Sequence, residues 1–306
     1  MKLGFSMSVP ADGMMLWSRH VPAILHTAMD LGPDPEREVW TPLLMASVAG
    51  ASTMLGALVV FFMPEEGPSP KAMALSLSLA AGVMISISIE MLLPTGRHGE
   101  SPLLPCLILG ASAVCCCLLC KLGDFLAMKQ GAFEAGDADT PRHHWRLSLL
   151  LFASLTAHNL PEGFAVAVTA ASGLRLGFAL CMAVALHNIP EGITLAVATY
   201  NASKSRFKAT MMTFYSGLAE PIGALCALLL LQAYLTPIIV HHLLTAVAGI
   251  MLYIAAAELM PEAASTKCWF TIVLGFVLGV IVMVLTHWVI DSAIESGHLH
   301  MHQTAI

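Results

Sequence analysis

The chain has 306 residues, 57% of them hydrophobic and only 11% charged, with a mean hydropathy of +0.78 and a formal net charge of −6. A soluble domain carries about a quarter charged residues, so the composition excludes a soluble globular fold and implies an all-α membrane protein with lipid as its solvent. The thin negative charge gives no footing for a nucleic-acid partner.

Residues 1–40 read as an N-terminal tail. They hold Lys2, Arg19, Arg37 and several prolines, with no apolar run long enough to span and no signal-peptide pattern. A short interfacial helix is expected near Val21 to Leu31. Eight apolar stretches follow within a 41–295 domain, at about 43–63, 71–93, 102–122, 147–171, 175–199, 209–232, 237–260 and 268–290. Each is about the 20 residues that a membrane helix needs. Most links are short. The longest, 123–146, is charged and contains His143 and His144, which predicts a solvated loop. Residues 296–306 form a histidine-containing tail in which His298, His300 and His302 alternate. An extended chain there could hold metal loosely, or lie free in water.

Two repeats organise the spans. The first three align with the last three at an offset of 167: Gly50 to Leu58 falls on Gly217 to Leu225, Ala81 to Met84 on Ala248 to Met251, and Pro94 on Pro261. An odd number of spans separates the first from the sixth, so the halves must be inverted, as in many secondary transporters. The expected architecture is therefore 3+2+3, with helices 1–3 and 6–8 forming an inverted repeat. With the N-terminus outside, nine of the 14 Lys and Arg fall on inner loops. That bias places both termini outside and the 123–146 loop in the cytosol.

The second repeat carries chemistry. His158-Asn159-Leu160-Pro161-Glu162-Gly163 returns 29 residues later as His187-Asn188-Ile189-Pro190-Glu191-Gly192. In each copy His and Glu are spaced i, i+4 and share one helix face. Ionisable groups inside a membrane are costly and point to function. Imidazole nitrogen and carboxylate oxygen suit zinc and related divalent ions, and the asparagines add neutral oxygen. Each proline frees a backbone carbonyl and bends its helix, as at the broken helices of transporter binding sites. Glu220, also followed by proline, is the one charged residue in the middle of span 6. One buried histidine is more often a packing residue than a ligand; two near-identical hexapeptides on neighbouring spans are not explained that way.

At these residues the chain resembles the ZIP (Zrt-/Irt-like) family of divalent-metal transporters, in its bacterial-type, GufA-like branch, over about residues 40–295. The resemblance implies one metal position at His158, Glu162, His187 and Glu191, and a second at Asn159, Asn188 and Glu220 with Glu162 and Glu191 bridging. It implies Zn²⁺ as cargo, with Fe²⁺, Mn²⁺, Co²⁺ and Cd²⁺ tolerated, movement into the cytosol, no resident cofactor, and a homodimer. A plasma membrane is expected over an organelle membrane. Helices 1, 4, 5 and 6 should form a moving bundle and helices 2, 3, 7 and 8 a scaffold.

Other polar residues leave two readings. Glu90 either gathers ions at an outer entrance or faces water; Glu258 and Glu262 either line an inner exit or face water. His241 and His242 are equally open, and His287 reads as a packing residue. The eight cysteines show no disulfide framework; Cys115 to Cys117 are read as small packing residues over soft-metal ligands. The rival function is an intramembrane metal-dependent hydrolase. It would need an open coordination position and a general base; HExxH is absent, and the 167-residue repeat has no role in it.

Overall fold

A computed structural model describes residues 39–92, 103–129, 141–172, 174–231 and 237–303. Among them every regular element is helical, the expected solution where lipid cannot satisfy backbone polar groups. The helices follow one another as rods. Helix α1 runs Trp40–Gly56 and tightens into 3₁₀ turns over Ala57–Phe62. Helices α2 (Pro70–Leu92), α3 (Leu103–Lys129), α4 (Pro141–Ser172) and α5 (Leu174–Ser203) are continuous. Rod α6 comprises Arg206–Gly217, Ala219–Cys226 and a π-helical turn Ala227–Leu231. Rod α7 comprises Pro237–Ile254, a π turn Ala255–Leu259 and Met260–Ser265. Helix α8 is Trp269–Gln303.

Seven of these rods contain a segment long and apolar enough to cross a membrane. The expected fourth span, in α4, is the exception. Its 32 residues suffice in length, but His143, His144, Arg146, His158, Asn159 and Glu162 lower its apolar character. Three expected boundaries also move. Helix α3 continues to Lys129 and α4 begins at Pro141, so helix enters the expected 123–146 loop from both sides. The 296–306 tail is helical as far as Gln303, which corrects the extended-chain reading of its histidines. No proline follows Pro261, and the lone Gly297 does not stop a helix. The interfacial helix expected near Val21 to Leu31 lies outside the described residues.

Helices α1, α4, α5 and α6 pack mutually, while α2 lies against α8 and α3 against α7. The groups meet where α5 touches α2 and α8, and where α4 touches α7. Alanine-rich packing joins α1, α4, α5 and α6 through Ala46, Ala49, Ala167, Ala183 and Ala224. A larger apolar cluster including Leu77, Met84, Leu151, Leu195, Met251 and Leu259 fills the space toward α2, α7 and α8. Helices α1 and α6 cross at Gly50 and Gly217: a Cβ on either would collide with the other's carbonyl oxygen. Only glycine permits that approach.

Helix ends expected on one membrane face meet. Arg206 donates to the carbonyls of Val60 (3.1 Å) and Met63 (2.9 Å), and Tyr200 Oη donates to Pro64 O (2.7 Å). At the start of α4, Arg146 grips Glu258 with two hydrogen bonds of 2.8 and 3.1 Å, and His143 Nε2 lies 2.8 Å from Glu262 Oε2. Glu258 and Glu262 thus tie α7 to α4, a role the sequence reading did not foresee.

His143 precedes the expected span. Its hydrogen bond to Glu262 is the chief cause raising the imidazole above its ordinary value of 6.5. The charged ring is the form the carboxylate favours, so the pair's stabilisation is complete below about pH 6.5 and is lost as pH rises through the raised value. In a thermal-melting series from roughly pH 6 to 9, His143→Gln should flatten the alkaline loss of stability seen in wild type. Superimposable pH profiles would remove this pair from the account.

Candidate metal centre

The two hexapeptides lie inside α4 and α5, and both helices run through their prolines, Pro161 and Pro190. Rod α6 breaks instead. Its first helix ends at Gly217 and the next begins at Ala219, one residue before Glu220. Pro221 cannot donate to the carbonyl of Gly217, which loosens the junction, although Leu218 stays helical and its carbonyl still accepts from Ile222. Glu220 thereby enters the first turn of a new helix, where a negative side chain is favoured.

The side chains converge. His158 Nε2 and His187 Nε2 each lie 2.9 Å from Glu162 Oε1. The His187 approach is a hydrogen bond, whereas that of His158 lacks hydrogen-bond geometry, and both its ring nitrogens are without a hydrogen-bond partner. Glu191 Oε1 stands 3.9 Å from His158 Nε2. Ligand atoms of His158, Glu162 and His187 all fall within 4.8 Å of one another, the one such group among the described residues. Glu191, Glu220, Asn159 and Asn188 are fully buried, and the two histidines and Glu162 nearly so.

The asparagines are oriented by backbone. Asn159 Nδ2 donates to Ser216 O and Asn188 Nδ2 to Ala49 O, each at 3.2 Å. Asn188 Nδ2 also donates to Glu220 Oε1. These bonds commit the amide nitrogens and leave both Oδ1 atoms unpartnered, as are Glu162 Oε2, both Glu191 oxygens and Glu220 Oε2. So many buried acceptors without donors are expensive in a protein interior. Glu162 and Glu191 also approach the same imidazole, His158, at 2.9 and 3.9 Å, so like charges crowd one pocket. A divalent cation would satisfy both deficits at once, supplying charge and receiving lone pairs from nitrogen and oxygen ligands.

Every expected ligand, His158, Asn159, Glu162, His187, Asn188, Glu191 and Glu220, is in this buried region. Of the expected mouths, Glu258 and Glu262 are not part of it. Glu258 and Glu262 are engaged with Arg146 and His143. The side chains of Glu90, His241, His287, His298, His300 and His302 lie outside the described residues. All eight cysteines are free thiols, with Cys115 exposed and Cys116 and Cys117 partly exposed. Sequence reasoning missed the backbone anchors Ala49 and Ser216, which carry no side-chain signal.

An apolar helical bundle closed around buried, underpartnered imidazole, carboxylate and amide groups defines a polytopic membrane protein whose interior is suited to cations. The sequence profile of the ZIP zinc transporter family matches residues 127–287. A zinc transporter, ZupT, of Escherichia coli K12 is 38% identical over 228 residues, spanning 72% of this chain and 86% of that protein. Its namesake in Chlorobium luteolum is 44% identical over 153 residues, covering 50% of this chain and 57% of the relative. The chain belongs to the ZIP zinc transporter family. It is a multi-pass membrane transporter of divalent metal ions and not an enzyme, which removes the intramembrane hydrolase alternative.

Proposed function

We propose that the chain carries Zn²⁺ into the cytosol through a buried, binuclear site on α4, α5 and α6. The observation that carries the reading is the meeting of His158, His187 and Glu162, with Glu191 beside them and unpaired lone pairs all round. The first position takes His158, Glu162, His187 and Glu191. The second takes Asn159, Asn188 and Glu220, bridged by Glu162 and Glu191. Three carboxylates bring three negative charges into low dielectric, poor company unless cations neutralise them.

Eight spans in a 3+2+3 order, with both termini outside, belong to the same proposal. The glycine crossing at Gly50 and Gly217 supports the inverted repeat, because these positions are 167 apart. The excess of positive charge on the expected inner loops supports the direction. Residence in the plasma membrane, a homodimer, and a bundle of α1, α4, α5 and α6 moving against the rest follow from the family resemblance.

The test is uptake of radiolabelled zinc by proteoliposomes with a metal panel in competition. Zinc should accumulate against a protein-free control, with Cd²⁺, Co²⁺, Fe²⁺ and Mn²⁺ competing less strongly; no accumulation of any of them would refute the function. The ligand set makes a sharper prediction. His187 gives the first position its second imidazole, which favours zinc over harder ions. His187→Gln should shift the competition ratio toward Mn²⁺ or Fe²⁺, whereas an unchanged ratio would exclude His187 as a direct ligand.

A further inference from the structure

Building on the site proposed above, we infer that Thr53 is a further cargo-facing residue: the neutral counterpart of Glu220 on the opposite wall, whose hydroxyl holds the ion's hydration water and keeps binding weak enough for release. Nothing in the two hexapeptides points to it.

Four relations place Thr53 where Glu220's twin should stand. First, the Thr53 carbonyl lies against Gly192 of the second hexapeptide, as the Glu220 carbonyl lies against Gly163 of the first; a Cβ on either glycine would collide with that oxygen. Second, a Cβ on Gly217 would stand 3.3 Å from Thr53 Cβ, and one on Gly50 3.3 Å from Glu220 Cβ. Third, Asn188 donates to Ala49 O, four residues before Thr53, and Asn159 donates to Ser216 O, four residues before Glu220. Fourth, Thr53 and Glu220 are 167 residues apart, the offset that aligns α1 with α6. Exchanging α4 with α5 and α1 with α6 therefore carries one environment onto the other. Glu220 reaches Asn188, so under the same exchange the position matched to Thr53 is Asn159, whose Oδ1 is unpartnered.

The ordinary fate of a helical threonine does not account for Thr53. Its hydroxyl would donate to the carbonyl four residues back, as Thr156 does to Phe152 O (2.6 Å) and Thr213 to Ala209 O (2.9 Å). For Thr53 that carbonyl is Ala49 O, which already accepts from Asn188. Thr53 is fully buried and its Oγ1 has no hydrogen-bond partner. The hydroxyl is thus a spare donor and acceptor on the wall of a cation site.

The chemistry follows from reach and charge. Threonine is two bonds shorter than glutamate, room for a water between its oxygen and an ion. It adds no fourth carboxylate to a site that already has Glu162, Glu191 and Glu220. A transport site must bind well enough to load and weakly enough to empty, and a neutral oxygen at the twin position meets both demands.

The experiment measures radiolabelled zinc uptake by proteoliposomes for Thr53→Val, Thr53→Ser and Thr53→Asp beside wild type and Glu191→Ala, each checked for a monodisperse folded protein. Thr53→Val should raise the zinc KM about tenfold, the loss of roughly one hydrogen bond, and Thr53→Ser should stay near wild type. Thr53→Asp should lower KM and slow turnover, because the ion is held. If Thr53→Val does not fold, Thr53→Ala reads the same loss. Wild-type KM in the hydroxyl-free variant together with undiminished turnover in Thr53→Asp overturns the role of Thr53, and an inactive Glu191→Ala leaves the metal site standing. Wild-type transport by Glu191→Ala overturns the site and this inference with it.

Discussion

Glu191→Ala and Glu162→Ala are each expected to cut zinc transport by about 100-fold or more while leaving folded protein in the membrane, because each removes a carboxylate that the proposed site shares between two metal positions in a region of low dielectric. Both Glu191 oxygens are buried without a hydrogen-bond partner, and Glu162 Oε1 is the atom on which both histidines converge. Stability should move the opposite way at Glu191. Deleting a buried carboxylate that accepts no hydrogen bond relieves repulsion and desolvation, so the metal-free variant should melt at or above the wild-type temperature. Glu220→Ala touches the second position alone and should reduce transport more mildly or alter selectivity. The measurement is uptake normalised to surface expression, with melting of the metal-free proteins. A packing role predicts the reverse, with stability lost and transport per folded molecule retained; that pattern would contradict the assignment.

Gly192→Leu should be the most damaging substitution for the fold itself. A side chain there collides with the backbone of Thr53, and backbone cannot swing aside as a side chain can. Helices α1 and α5 would have to separate, with overpacking that costs about 3 kcal/mol or more. Gly110→Leu on α3 is the matched contrast. Nothing lies within 4 Å of a Cβ at Gly110, and leucine is a better helix former by roughly 0.8 kcal/mol. Gly110→Leu should therefore be neutral or stabilising. The check is the monodisperse yield and melting temperature of both variants in one detergent. Equal behaviour would mean that the α1–α5 contact does not confine this helix pair.

The all-helical membrane class was legible because long apolar runs have one solution in lipid. The principal proposed ligands were legible as candidates because ionisable groups in such runs stand out: His158, Glu162, His187 and Glu191 need only helical periodicity to share faces. Boundaries were less legible. A helix that leaves the membrane keeps its hydrogen bonds, so hydropathy does not mark the ends of α3 at Lys129 or α8 at Gln303. The pairs Arg146–Glu258 and His143–Glu262 span more than a hundred residues, beyond any local pattern. Ala49 and Ser216 act through carbonyl oxygens, which every residue has. Thr53 carried a signal, since the 167-residue alignment sets it opposite Glu220, but a threonine in an apolar helix does not draw the eye as a glutamate does.

The central claim is that the two hexapeptides hold the transported ion between them. The most direct measurement is a zinc-edge anomalous difference map from crystals of the purified protein grown with zinc. The account predicts a peak among His158 Nε2, His187 Nε2 and the Glu162 carboxylate, within ligand distance of Glu191, and a second, weaker peak toward Asn188 and Glu220. Zinc bound elsewhere in the molecule, with no peak between α4 and α5, would contradict it.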